Sequence, residues 1–273
     1  MGLFDVFKKK ECCICGNEVG LIGNRKLSDG NMCSKCAKKL SPWFEDRKAS
    51  TMAQIKEQLA YRAANEQALE KFQVAKVIGK AYKMYIEEVG GVPTRFVVSQ
   101  EDDCKKGNPD IISFADVMSC DIDIDVRDEE IMKEGKDDQK VSYVPPRFRH
   151  HYDFYISMSI ANNPYFSSIR FKLNVFSVTL ETIGGMRGIG GMALSALIEK
   201  NLPAGARVNL VSNNGEQRRY QEFCQMCEEI KEIVDNAKQS QSAVPQAAGP
   251  RFCPNCGAPA EGCKFCQNCG SKL

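Results

Sequence analysis

Histidine is almost missing from this chain: two among 273 residues, His150 and His151, side by side. Neighbours on a strand face opposite ways, so the two rings cannot share a metal, and no serine or cysteine signature accompanies them to pair a nucleophile with a base. With Arg147 and Arg149 just before them, they read as the basic, solvated start of a strand. Long apolar runs are missing too, since no stretch approaches the ~18 residues of a membrane-spanning helix. Nor does one sign of charge prevail. There are 37 Lys and Arg against 35 Asp and Glu, a net +2 with a pI near 7.9, so the strongly basic face of a dedicated nucleic-acid binder is not indicated. The opening Met1 to Phe7 is too short for the apolar region of a secretory signal, carries Asp5, and has its lysines after it instead of before it. A reducing, cytoplasmic setting is the expectation.

Cysteine, by contrast, is abundant, with 14 residues. Eight of them fall into four C-x2-C pairs: Cys12/Cys15 with Cys33/Cys36 near one end, and Cys253/Cys256 with Cys266/Cys269 near the other. Three pairs run directly into glycine, at Gly16, Gly257 and Gly270. A zinc knuckle needs this, because the chain must turn tightly enough for backbone N–H groups to point at the thiolates. The first set, C-x2-C-x17-C-x2-C, encloses a hairpin with an Asp29-Gly30 turn signal, and its second pair opens a helical stretch from Ser34 to Leu40. Knuckle, hairpin and helix make a treble-clef-like finger. In the second set nine residues separate two knuckles, Phe252 to Gly257 and Phe265 to Gly270, as in a minimal zinc ribbon.

Two structural Zn2+ ions are therefore expected, each held by four thiolates that leave no open position for water or substrate. Such a site contributes about 10–16 kcal/mol to folding a module too small for its own core. Its net charge of about −2 calls for N–H dipoles and nearby cations, and Lys9, Lys10, Lys35, Lys38 and Lys39 lie close in sequence. Cys13 and Cys263 are set aside as ligands. Cys13 stands one residue short of a knuckle spacing from Cys15, and pairing Cys263 with Cys266 would discard the Cys269-Gly270 knuckle. Cys224 and Cys227 lie in a helical pattern with Tyr220, Phe223, Ile230 and Val234, which reads as a buried helix face.

Between the cysteine modules, residues 49–72 carry a loose apolar stripe at Met52, Ile55, Leu59, Ala63, Leu69 and Phe72, read as a connecting helix. Residues 73–237 switch to alternation. Strands are expected over 73–78, 81–88, 94–99, 111–114, 117–126, 152–160, 169–182 and near 207–211, followed by a helix from 217 to 237. Antiparallel strands closed by one amphipathic C-terminal helix suggest a pleckstrin-homology-like barrel. The expected organisation is α+β and multidomain: a finger over 1–48, the helix over 49–72, the β-rich domain over 73–237, a polar linker over 238–250, and the ribbon over 251–273. Asp121-Ile-Asp-Ile-Asp125 begins like a calcium loop but has Val126 where glycine is needed and Met132 where glutamate is needed, so it reads as a strand with its aspartates in solvent. Gly188-Ile-Gly190-Gly-Met-Ala193 superficially fits a dinucleotide fingerprint, yet no acidic residue ends the next strand and no second βαβ unit follows.

The segments Cys12-x2-Cys15-Gly16, Lys26-Leu27-x-Asp29-Gly30, Cys33-x2-Cys36 and Lys39-Leu40-Ser41-Pro42 resemble an uncharacterised bacterial zinc-finger family, a domain of unknown function. The C-terminal pairs resemble a widespread bacterial double-knuckle zinc ribbon. More loosely, Ile112 to Val117 and Asn163 to Phe166 look like strand-starting motifs of the barrel-like domain in such proteins. The resemblance implies architecture and zinc without implying a reaction. The expected function is that of a non-enzymatic zinc-binding adaptor whose partner is a protein or peptide. Two other classes stand beside it: nucleic-acid binding through Arg25, Lys26, Lys35, Lys38 and Lys39, and a thiol sensor in which Cys13 or Cys263 oxidises and releases zinc. Residues 1–10, with Leu3, Phe4, Val6 and Phe7 apolar and lysines after them, could serve any of these as a small amphipathic foot in weak contact with a membrane surface. Oligomeric state is left open.

Overall fold

A computed structural model describes residues 10–20, 22–184, 209–210, 214–242 and 268–269. The N-terminal module begins with two short antiparallel pairs. Strand β1 (Lys10–Glu11) pairs with β2 (Glu18–Val19) around the Cys12 to Gly16 knuckle, and β3 (Asn24–Lys26) pairs with β4 (Asn31–Cys33). The β3–β4 turn forms where Asp29-Gly30 predicts it, with Leu27 N–H donating to the Gly30 carbonyl. Helix α1 (Ser34–Ala37) follows directly, and Cys33 is its N-cap. A small core of Val19, Leu27, Met32, Leu40 and Ile55 holds these pieces together.

Helix α2 (Met52–Glu70) starts at a capping box, in which the Thr51 hydroxyl accepts from Gln54 N–H and the Gln54 side chain accepts from Thr51 N–H. Its buried face differs from the apolar stripe seen in the sequence. Ile55, Gln58, Arg62, Asn65 and Leu69 are buried, at alternating three- and four-residue spacing, while Ala63 is exposed. Arg62 and Asn65 occupy that face because they meet polar partners there, whereas the Gln58 amide is buried without a hydrogen-bond partner among the described residues.

The central region has two antiparallel sheets. One runs β5 (Lys76–Ile78), β6 (Lys83–Val89), β7 (Val92–Ser99), β8 (Ile112–Ser113). The other is built on a long hairpin of β9 (Val117–Glu134) and β10 (Lys140–Ile160). On the far edge of β10, β11 (Ser168–Lys172) pairs with Tyr155 to Ser159 and β12 (Val178–Ile183) with Arg147 to Tyr152; β13 (Asn209–Leu210) pairs with β12. Both sheets and helix α3 (Asn214–Ser242) share one core, to which α3 contributes Tyr220, Phe223, Cys227, Ile230, Val234 and Ala237. Tyr220 meets Tyr152 and Phe154 edge-on, with ring centroids 5.0 and 5.3 Å apart. No strand pair among the described residues joins the two sheets into a closed barrel. They meet instead where Lys80, Ala81 and Tyr82 N–H groups donate to the carbonyls of Lys172 and Leu173.

Several sequence expectations change. The single strand over 169–182 is two strands. Between them Asn174 is fully buried; its Oδ1 accepts from Phe154 N–H and its Nδ2 donates to the Tyr152 and Phe176 carbonyls and Asp153 Oδ1. One amide thus satisfies a break that alternation does not reveal. The hairpin strands run well beyond 117–126 and 152–160, because pairing with each other and with β12 continues through charged residues. His150 is not on a solvated rim. It is fully buried in mid-strand, with Nδ1 2.7 Å from Asp128 Oδ1 and Nε2 2.9 Å from Thr182 Oγ1, while His151 takes the opposite face and meets Thr179 Oγ1 at 3.0 Å. Arg149 pairs with Glu181 at 2.9 Å. Asp121 to Asp125 is a strand as predicted, with Ile122, Ile124 and Val126 against the core. Helix α3 extends beyond 217–237 at both ends. The 188–193 glycine run lies outside the described residues.

Candidate metal centre

The knuckle after β1 supplies Cys12 and Cys15, the end of β4 supplies Cys33, and α1 supplies Cys36. All four sulfurs lie within 4.8 Å of one another, and Cys15 Sγ is 3.8 Å from Cys33 Sγ. Tetrahedral coordination at Zn–S distances of about 2.3 Å separates sulfurs by about 3.8 Å, the spacing of the Cys15–Cys33 pair, so the donor set suits Zn2+. Backbone N–H groups point at the sulfurs as the knuckle argument requires: Cys33 N–H to Cys12 Sγ at 3.2 Å and Cys36 N–H to Cys33 Sγ at 3.3 Å. Gly16, at φ +73°, makes the turn that closes the knuckle, its N–H donating to the Cys12 carbonyl.

The thiols differ in acidity. Burial opposes ionisation of Cys12, but N–H groups of Cys33, Cys15 and Ile14, with the Cys15 thiol, outweigh it and bring Cys12 down to about 6. Cys36 moves the other way, raised by burial and then by the sulfurs of Cys33, Cys15 and Cys12. Four thiolates cannot crowd together without a cation between them. A bound zinc would supply a structural cross-link with its coordination complete. Cys13 points elsewhere: its Sγ lies 3.6 Å from the position a Cβ on Gly30 would take, and burial raises its pKa.

The finger is locked to the central region by a polar clamp that the sequence did not reveal. Ser41 Oγ donates to Asp110 Oδ2 at 2.7 Å, and Arg62 Nη1 donates to Asp110 Oδ1 at 2.6 Å. Arg62 also donates to the carbonyls of Lys39 and Asn108, and Asn65 donates to Asn108 Oδ1 and the Pro109 carbonyl. The Arg62 and Asp110 side chains are 5% and 0% exposed. Burial pushes the Asp110 carboxyl above the usual carboxylate range, against the pull of Arg62 and Ser41. The segment after α1 also docks the finger: Trp43 packs near Tyr82 and Phe44 meets Tyr165 edge-on. Only the heptad-like placement of Arg62 and Asn65 between Ile55 and Leu69 hinted at this.

Beside the metal centre, α2, α1 and the 107–108 turn border a cleft of about 590 Å³, lined by Cys15, Cys36, Lys38, Lys39, Arg62 and Glu66, among others. Of the second predicted set, Cys253, Cys256 and Cys266 lie outside the described residues, while Cys269 is described and exposed. Cys227 is buried and Cys224 half-buried against the core, as the helical pattern indicated. No curated protein and no solved structure matches the chain. Residues 10–58 match a family described as a domain of unknown function, DUF4428. That segment holds the four clustered sulfurs, and together they fit an N-terminal zinc finger of an uncharacterised family.

Proposed function

We propose that this chain is a non-enzymatic zinc-binding adaptor, in which an N-terminal finger and a C-terminal ribbon flank a pleckstrin-homology-like domain that binds an extended peptide segment of a protein partner. The reading of the two sheets and α3 as an open barrel of that kind is supported by the way α3 packs against both. The ribbon, with Cys253, Cys256, Cys266 and Cys269 on a second zinc, is supported by its knuckle spacing. A reduced, cytoplasmic setting suits eight cysteines committed to metal.

The observation that carries the adaptor reading is the outer edge of β9. Beyond Met118, whose carbonyl accepts from Lys238 Nζ, no described strand pairs with that edge. A strand edge of this length is a template for an added strand. Asp121, Asp123, Asp125 and Glu129 share one face of β9 with Arg127; Asp123 and Asp125 pair with Arg170 at 2.7 and 3.2 Å and Glu129 lies 3.7 Å from Arg149, so a basic strand would extend this charge ladder beside Asp121, while a second copy of β9 would set carboxylates against carboxylates. Selection from a displayed library of random peptides against the zinc-loaded full chain tests this. Basic, extended sequences are expected, with binding lost on Asp121→Lys plus Asp125→Lys; recovery only of peptides indifferent to that double change would overturn it.

A further inference from the structure

The four sulfurs of the metal centre are not equivalent. Cys12 and Cys36 are 1% and 5% exposed, Cys33 is half-buried, and Cys15 is exposed. Cys12 and Cys33 sulfurs accept backbone N–H bonds, whereas among the described residues no backbone N–H donates to Cys15 Sγ. N–H bonds to a metal-bound thiolate withdraw electron density, and a thiolate without them is the better nucleophile. Cys15 also opens on the cleft of about 590 Å³, where Lys38 and Lys39 stand beside it. Cys36 Sγ likewise accepts no backbone N–H bond among the described residues, but it is buried; Cys15 alone combines exposure, the lack of such a bond and, as its 3.8 Å neighbour, Cys33, the next most exposed ligand.

We propose that Cys15 is the site at which a small peroxide oxidises the centre, closing a Cys15–Cys33 disulfide and releasing the metal. This goes beyond the adaptor reading and rests only on zinc being held by the four cysteines. Cys15 Sγ attacks one peroxide oxygen, an S–O bond forms, the O–O bond breaks, and the departing hydroxide takes a solvent proton. Cys33 Sγ then attacks the Cys15 sulfur, an S–S bond forms, the S–O bond breaks, and a second hydroxide is protonated. Two sulfurs lose two electrons, the peroxide gains them, and Cys12 and Cys36 are left too few to hold the ion. Cys13, aimed at Gly30 and away from the centre, takes no part.

The test is treatment of the zinc-loaded full chain with hydrogen peroxide, following zinc with a chromogenic chelator and locating oxidised cysteines by peptide mass spectrometry with differential alkylation. The expected result is early modification of Cys15 and a Cys15–Cys33 linked peptide, appearing together with zinc release. Ala63 lines the same cleft and is exposed, so Ala63→Trp narrows the approach without touching a ligand. Its zinc content should be unchanged and its release several-fold slower; Cys13→Ser should match the unaltered chain. Zinc release without modification of Cys15, first oxidation at Cys12 or Cys36, or protection by Cys13→Ser would each overturn the proposal. Zinc content before peroxide tests the metal centre, and peptide binding without peroxide tests the adaptor reading, so the failures remain distinguishable.

Discussion

Single side chains decide how firmly the finger is seated. Asp110 lies under Ser41 and Arg62 with no exposure, so removing Arg62 leaves the carboxyl buried without its counter-charge, held by the Ser41 hydroxyl. Truncating one partner of a buried ion pair costs about 3–5 kcal/mol. Arg62→Ala should therefore shift the urea midpoint of the whole chain strongly, whereas Lys83→Ala, whose partner Asp102 is almost fully exposed, should hardly move it. Gly79 is a second sensitive point. It has φ +109°, and a Cβ there would run into the Tyr82 carbonyl and meet Leu173 Cδ2 at 3.2 Å. Gly79→Ala should destabilise by more than ~1 kcal/mol in thermal unfolding, because strain in φ adds to a backbone collision. Burial pushes Cys120 and Cys227 up to about 12 and shields both sulfurs, so both should stay inert to alkylation until the chain unfolds.

At the scale of elements, the turn between β11 and β12 depends on Asn174 and its neighbour Asp153. Asn174→Ala would orphan the buried Phe154 N–H at a cost of about 1–3 kcal/mol, readable as faster hydrogen exchange along β10 and β11. Asp153 resists ionisation through burial, yet Lys172 at 2.8 Å, Ser177 and Asn174 together hold its carboxyl below its ordinary 3.8. A depressed carboxyl binds fewer protons folded than unfolded, so its contribution is fully present above pH 3.8 and is lost as pH falls through the lower, folded value. Acid titration of Asp153→Asn should accordingly lose part of the drop in stability below about pH 4. Elements were legible in sequence where alternation or helical spacing was unbroken. They were misread where one buried amide interrupts a strand, or where charged residues continue a strand through pairing to neighbours.

For the whole molecule, zinc is expected to set both stoichiometry and cooperativity. Native mass spectrometry of chain purified without added metal or chelator should find two zinc ions per chain, with Cys36→Ser lowering the count by one and Cys256→Ser lowering it by one independently. Stripping the metal with a strong chelator should melt the finger, whose core is only a handful of side chains, and should also lower the unfolding temperature of the sheets. The second effect follows from Ser41, which donates to the Asp110 that Arg62 also holds, and from Trp43 and Phe44 packing on the central region. Among the described residues no helix is long and apolar enough to cross a membrane.

The sequence by itself determined the first metal centre, because ligand chemistry is local: two knuckles, a glycine at left-handed φ and a hairpin turn bring Cys12, Cys15, Cys33 and Cys36 together over two dozen residues. The strand alternation and the buried face of α3 were legible for the same reason. Only the tertiary structure decided that Arg62 meets Asp110 across 48 positions and Ser41 meets it across 69, that His150 is a core residue between Asp128 and Thr182, and that Cys15 is the exposed ligand. A buried polar residue is written in the sequence with the same letters as an exposed one. What distinguishes them is a partner brought close by the packing of the two sheets, the helices and the finger.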